Sequence, residues 1–132
     1  MHYQNILIID DDVEDQEIFY DAVQTISHDI ANVCCTSFTS AREALLQLDS
    51  GQLQPEVIFL DLNMPVMNGM DFLRELKQRP RLRDIHVIIF STSSNPNTIA
   101  QAKQLGAEDF ITKPSRFSDL VNILKPLIKE QH

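Results

Sequence analysis

The sequence predicts an α/β fold in which a doubly wound, five-stranded parallel sheet is covered by helices on both faces. Short continuous apolar runs, the pattern of strands buried on both faces, alternate with longer stretches that place apolar residues at helical spacing. Polar side chains follow the predicted strands, at the edge where open parallel sheets bind ligands. These observations predict a (βα)₅ order of elements.

The first half of the chain supplies three strands, which we predict at residues 6–9, 32–37 and 57–60. Between the first two, a helix from Val13 to about residue 26 carries an apolar stripe made of Ile18, Phe19, Ala22, Val23 and Ile26. A second helix follows Ser40, which has capping-box spacing with Glu43. Gly51 is placed to end this helix.

The second half supplies two strands and three helices. In chain order we predict a helix from Met70, a strand at residues 87–90, a helix from Pro96 to Gly106, a strand at residues 109–112 and a helix from Phe117 to about residue 130. Asn95 is the N-cap of the middle helix, since proline follows it at the first helical position. Pro126 predicts a kink or an early end in the last helix.

The composition narrows the function classes. Hydrophobic residues make up 43% of the chain and the net charge is −8, which suits a globular protein but not a binder of nucleic acid or of anionic lipid. An acidic protein of this kind can bind a cation or a basic partner surface. The 132 residues form one predicted domain, residues 1–132, with no output domain.

The cysteines and the N-terminus predict a cytoplasmic protein. Cys34 and Cys35 are adjacent in a strand and point to opposite faces, so we expect no bridge between them but buried, inert thiols in a reducing compartment. The sequence shows neither a signal peptide nor a membrane span.

Chemistry-bearing residues follow four of the five strands. They are Asp10, Asp11 and Asp12 after the first strand, Asp61 after the third, Ser91 and Thr92 after the fourth, and Lys113 after the fifth. Carboxylates this close together need a neutralising charge, and a hard divalent cation such as Mg²⁺ supplies it through oxygen ligands. One carboxylate can then attack phosphorus, while a lysine and a hydroxyl contact the phosphoryl oxygens.

Each of these residues alone has a simpler interpretation. Asp12, Glu14 and Asp15 are typical of acids at a helix N-terminus, and Asp10 or Asp11 alone fits the same role. Ser91 alone is an ordinary strand-end hydroxyl and Lys113 alone a solvated amine. Their succession at four strand ends favours a common site centred on Asp61.

Four motifs in order resemble the response-regulator receiver domain of two-component signalling, in the single-domain type typified by chemotaxis regulators. They are Ile6-Leu7-Ile8-Ile9-Asp10-Asp11-Asp12, Val57-Ile58-Phe59-Leu60-Asp61-Leu62-Asn63-Met64-Pro65 with Asn68-Gly69, Val87-Ile88-Ile89-Phe90-Ser91-Thr92 and Gly106-Ala107-Glu108-Asp109-Phe110-Ile111-Thr112-Lys113-Pro114. The resemblance covers essentially the whole chain. It implies a flavodoxin-like fold with strand order 2-1-3-4-5.

The resemblance also implies residue roles. Asp61 resembles the phospho-acceptor, and Asp10 and Asp11 the acidic pair, with Asp11 the direct metal ligand. Asn63 would give its backbone carbonyl to the metal, which is Mg²⁺ or alternatively Mn²⁺. Ser91 and Lys113 resemble the phosphoryl-binding residues, and Ser91 and Phe110 the switch pair. The Lys113–Pro114 bond is often cis in this family.

The implied function is phosphorelay signalling. A histidine kinase or a histidine phosphotransfer protein would phosphorylate Asp61, and the surface formed by helix four, strand five and helix five would then select a downstream target protein. The protein would catalyse only its own phosphorylation and dephosphorylation. Two alternatives stay open: a small-molecule phosphatase or phosphotransferase, for which no substrate-holding cap segment is evident, and a degenerate receiver that only binds protein, against which Asp11, Asp61, Ser91 and Lys113 speak.

Overall fold

Five parallel strands form one sheet in the order β2-β1-β3-β4-β5. The computed structural model describes residues 3–28, 32–92 and 95–128. Its elements are β1 Asn5–Ile9, α1 Val13–Ser27, β2 Cys34–Phe38, α2 Ala41–Asp49, β3 Val57–Leu60, α3 Gly69–Lys77, β4 His86–Ser91, α4 Pro96–Gln104, β5 Asp109–Thr112 and α5 Phe117–Ile128. The predicted fold class and strand order are confirmed.

The element bounds agree closely with the sequence prediction. β3 and β5 have the predicted bounds, while β2 begins two residues later than expected. α5 continues past Pro126 to Ile128, so this proline does not end the helix. The predicted extension to residue 130 lies outside the described residues. Within the described part of the chain, no helix has both the length and the apolar character needed to cross a membrane.

Two core clusters lie on opposite faces of the sheet because neighbouring strand residues point to opposite sides. Ile6 and Ile8 of β1 pack toward α1 and α5, in what we call the α1–α5 core. Leu7 and Ile9 pack toward α2 and α3, in the α2–α3 core. The central strands are therefore buried on both faces, which explains their continuous apolar sequence.

The inward face of α1 differs from the predicted stripe at one position. Ile18 is 46% exposed, whereas Gln16 is buried. The face that packs on the sheet runs through Gln16 and Phe19, and Ile18 lies outside it. Gln16 can be buried because its side-chain amide donates to the carbonyl oxygens of Asp10 at 2.7 Å and Phe38 at 2.9 Å.

The two cysteines are less buried than predicted. Both are free, but Cys34 is exposed and Cys35 is half-buried. The reason is that β2 is an edge strand, in which none of the five residues is fully buried. Burial of its side chain, together with the neighbouring Cys34, raises the pKa of Cys35 to about 12. The prediction of an inert thiol thus suits Cys35, and the prediction of a buried Cys34 was wrong.

Candidate functional site

The ends of β1 and β3 bring two buried carboxylates side by side. The backbone N–H of Asp10 donates to Phe38 O at 3.0 Å, and that of Asp61 donates to Ile9 O at 3.0 Å. These bonds extend the ladder pattern of the sheet one residue past each strand, so the two aspartates leave the sheet in register. Asp10, Asp61 and Ser91, the last residue of β4, are all buried.

Three carboxylates converge at this edge. One oxygen from each of Asp10, Asp11 and Asp61 lies within 4.8 Å of the other two. Asp11 is exposed, while the other two carboxylates are buried, so the cluster opens to solvent on one side. This donor set fits a hard divalent cation, which takes carboxylate oxygens and keeps water in its remaining positions.

Lys113 provides the positive charge of the cluster. Its Nζ lies 2.7 Å from Asp10 Oδ2, 2.8 Å from Asp15 Oδ2 and 4.0 Å from Asp61 Oδ1. The side chain is only 10% exposed, and Nζ lies 5.8 Å from the centre of the Phe90 ring. Lys113 is therefore a half-buried ion-pair partner and not the solvated amine that its sequence context alone would suggest.

Burial has the largest influence on the pKa values of the site, and neighbouring charges modify it. Burial raises the pKa of Asp10, and the hydrogen bond from Lys113 offsets this only in part. Burial also raises the pKa of Asp61, as does the charge of Asp10, while Lys113, the backbone N–H of Asn63 and the Ser91 hydroxyl favour its ionised form. Burial lowers the pKa of Lys113, but its hydrogen bonds and its attraction to the aspartates outweigh this and leave the pKa raised. Lys113 is thus the cationic partner of three carboxylates, those of Asp10, Asp15 and Asp61.

The start of α1 supports the acidic cluster. Asp12 is the N-cap, since its carboxylate accepts from the backbone N–H groups of Glu14 and Asp15, which confirms its predicted role at the helix N-terminus. Its own N–H donates to Asp10 Oδ1 at 3.0 Å. This hydrogen bond links the N-cap of α1 to the Asp10 carboxylate, so each helps to fix the position of the other.

The loop after β3 requires glycine at residue 69 because the backbone comes very close to the site. A Cβ at Gly69 would overlap the carbonyl oxygen of Asp61 and lie 2.8 Å from Leu62 Cα. Gly69 has no positive φ, so the requirement for glycine is steric and not conformational. Asn68 caps α3 through its side chain, which accepts from Asp71 N at 2.9 Å.

Comparison with known proteins identifies the family. Residues 6–125 match the response regulator receiver domain family. The chain belongs to this family. Two-component response regulator ORR12 of Oryza sativa subsp. japonica is 35% identical over 124 residues, which cover 94% of this chain and 98% of the relative.

Solved receiver structures share the fold. The phosphorylated cyanobacterial phytochrome response regulator RcpA is similar, with a TM-score of 0.84, 27% identity and coverage of 96% of this chain and 91% of that one. The Mn²⁺-bound form of response regulator Rcp1 has a TM-score of 0.75 and 21% identity, with 97% of each chain covered.

The other predicted site residues lie in the loops after β3 and β4 and in β5. Asn63 is exposed in the loop two residues after Asp61, and Thr92 is exposed after Ser91. Phe110 is half-buried against the α2–α3 core, on the opposite face of the sheet from α1. The Lys113–Pro114 bond is trans, unlike the isomer often found in the family. Ser93, close to Ser91 in the sequence, lies outside the described residues.

Sequence reasoning missed two residues of the receiver site. Asp15 was interpreted only as a helix N-terminal acid, and its ion pair with Lys113 joins residues 98 positions apart. Gln16 had no assigned role. A polar residue in line with the apolar face of α1 was the one available signal for Gln16, whereas nothing in the local sequence indicates the partner of Asp15.

Proposed function

We propose that Asp61 accepts a phosphoryl group from the phosphohistidine of a histidine kinase or a histidine phosphotransfer protein. The observation that carries this proposal is the environment of the Asp61 carboxylate, which is buried beside the oxygens of Asp10 and Asp11 and faces Lys113 and the Ser91 hydroxyl. The general function of receiver domains in two-component systems supports it.

In the proposed step, a carboxylate oxygen of Asp61 attacks phosphorus and the P–N bond to the donor imidazole breaks. The imidazole leaves with the electron pair of that bond and ends as a neutral ring after proton balance with solvent. Burial and the charge of Asp10 already raise the energy of the ionised Asp61 carboxylate. An acyl phosphate carries more negative charge than the carboxylate it replaces, so Lys113 and a bound cation would have to offset the added charge.

Asp10, Asp11, Asp61 and the backbone carbonyl of Asn63 would hold Mg²⁺. When bound, the ion offsets the negative charge of the carboxylates and of the incoming phosphoryl group. The convergence of three carboxylate oxygens within 4.8 Å supports a divalent cation at this place. Rcp1 binds Mn²⁺, so we expect Mn²⁺ to replace Mg²⁺ in this chain as well.

Ser91 and Lys113 would bind the phosphoryl oxygens. The Ser91 hydroxyl already interacts with Asp61, and a small rotation turns the same donor toward a phosphoryl group. Phe110 would follow Ser91, because the two residues lie on neighbouring strands. Phe110 is opposite Ile89, which precedes Ser91 by two residues on β4, so the side chains of Phe110 and Ser91 are on the same face of the sheet. The change would reach a target protein through the surface of α4, β5 and α5, where α4 buries only Ala102.

The protein would then act as a signalling switch and catalyse no reaction other than its own phosphorylation and dephosphorylation. The test is incubation with Mg²⁺ and a small phosphodonor, followed by intact-mass measurement. We expect an acid-stable, base-labile phosphoryl adduct that Asp61→Asn abolishes. Asp119→Asn removes an exposed carboxylate in the first turn of α5 and should leave the adduct unchanged.

Two results would contradict the proposal. An adduct that persists in Asp61→Asn would place the phosphoryl group elsewhere, and no adduct in the wild-type protein would leave a receiver that only binds protein. Rapid turnover of phosphorylated metabolites would instead favour a hydrolase.

A further inference from the structure

Lys113 is held by two carboxylates near the start of α1, and the proposed function uses only one of them. The contacts of Nζ with Asp10 and Asp15 are short, at 2.7 and 2.8 Å, whereas Asp61 Oδ1 is 4.0 Å away. The ammonium group therefore lies on the α1 side of the site. The Phe90 ring, which belongs to the α1–α5 core, lies 5.8 Å from it and favours the same side.

Asp15 differs from an ordinary acid in the first turn of a helix. The N-cap role belongs to Asp12, and Asp15 contributes only its N–H to that cap. Its carboxylate is 33% exposed and contacts a lysine that is 10% exposed. A charge-assisted hydrogen bond between such partly buried groups is stronger than a solvated surface pair. Asp15 thus contributes to fixing where Lys113 lies.

A phosphoryl group on Asp61 would compete with Asp15 for this lysine. The ammonium lies 4.0 Å from Asp61 Oδ1, beyond hydrogen-bond distance, and its contact with Asp15 opposes any movement toward oxygens added to that carboxylate. We propose that Asp15 is a positioning residue that holds Lys113 on the α1 side of the site and weakens its contact with a phosphoryl group on Asp61. This inference rests on the proposed role of Asp61.

The geometry predicts the direction of the effect. Without the charge of Asp15, Lys113 still has Asp10 at 2.7 Å, so the lysine stays paired and close to Asp61. It then reaches a phosphoryl group without first losing a charged partner. Removal of the Asp15 carboxylate should therefore strengthen binding of a phosphoryl group or its analogue.

The test is a titration with beryllofluoride at saturating Mg²⁺, followed by protein NMR. Beryllofluoride activates the receiver domain of DrrB and serves as the phosphoryl analogue. We expect Asp15→Asn to tighten binding by about threefold to tenfold, the range for one partly exposed charged contact. Asp15→Ser should act in the same direction, and Asp15→Glu, which keeps the charge, should stay within about twofold of wild type.

Glu14→Gln is the matched control, because it removes the same charge from an exposed side chain in the same turn. It should change the affinity less than about twofold. In a Lys113→Gln background, Asp15→Asn should have no further effect. The ¹⁵N signal of the Lys113 ammonium in metal-free protein should shift in Asp15→Asn and not in Glu14→Gln.

The outcomes separate the two proposals. If wild-type protein binds beryllofluoride but Asp15→Asn behaves like Glu14→Gln, binds more weakly, or keeps its effect without Lys113, the role of Asp15 is overturned. If wild-type protein neither binds beryllofluoride nor forms the phosphoryl adduct, the proposed function of Asp61 fails instead.

Discussion

Helices α1 and α4 each follow a strand that leads into the site, yet they are anchored to the sheet very differently. α1 has six buried residues, and its Phe19 ring packs against Phe59 at 4.9 Å and Phe90 at 5.6 Å between centroids. α4 has a single buried residue, Ala102. The acids beside α1 therefore lie next to a well-packed helix, whereas α4, which follows Ser91, can shift with a smaller loss of packing.

The largest expected effect tests this difference directly. Phe19→Ala should lower the free energy of unfolding by about 3–5 kcal/mol, because it empties a buried position on the sheet. Ala102→Gly removes the one buried side chain of α4 and should cost about 1 kcal/mol. Urea unfolding of both variants measures the two values. Equal losses would mean that α4 is as firmly anchored as α1, and the comparison would fail.

The polar contacts of α1 give the next effect. Gln16→Leu keeps the volume but removes the hydrogen bonds to the carbonyl oxygens of Asp10 and Phe38, and should cost about 2 kcal/mol. Because Asp10 then loses support, Mg²⁺ affinity should fall about tenfold. Gln101→Leu, at an exposed position of α4, should change stability by less than about 0.5 kcal/mol. Unchanged Mg²⁺ binding in Gln16→Leu would show that α1 does not hold the acidic cluster in place.

The sequence predicts the strands and their ends, but not how each helix packs on the sheet. Buried strands such as β3 appear as continuous apolar runs, and the strand ends locate Asp61 and Lys113 at a common edge. The sequence does not tell on which side of that edge the Lys113 side chain lies, because this depends on how α1 packs against the sheet. Asp15 was missed for this reason, and the exposure of Ile18 was mispredicted for the same reason.

Asp61 follows β3, which lies between β1 and β4, the strands that lead to α1 and α4. Removal of its charge tests whether burial and repulsion, or attraction to Lys113, dominates the energy of its carboxylate. Burial and the charge of Asp10 raise its pKa, so the ionised carboxylate costs folding energy without a metal. In chelator, Asp61→Asn should therefore raise the free energy of unfolding by about 1 kcal/mol. Asp71→Asn, in the exposed pair with Arg74, should not do so. A loss of stability in Asp61→Asn would mean that attraction to Lys113 outweighs burial and repulsion.

An effect of similar size is expected in the loop between β3 and α3, which offers an alternative support for the site. Val66 has a φ of 68° and is 92% exposed, so a β-branched side chain occupies left-handed backbone without gaining burial. Val66→Asn should raise the free energy of unfolding by about 1 kcal/mol, because asparagine tolerates this conformation. Leu46→Asn, at an exposed position in α2, should give no such gain. If the site depends on α1, Val66→Asn should form the Asp61 adduct at the wild-type rate. A slower rate in the stabilised variant would mean that the strained loop, and not α1 alone, holds the reactive geometry.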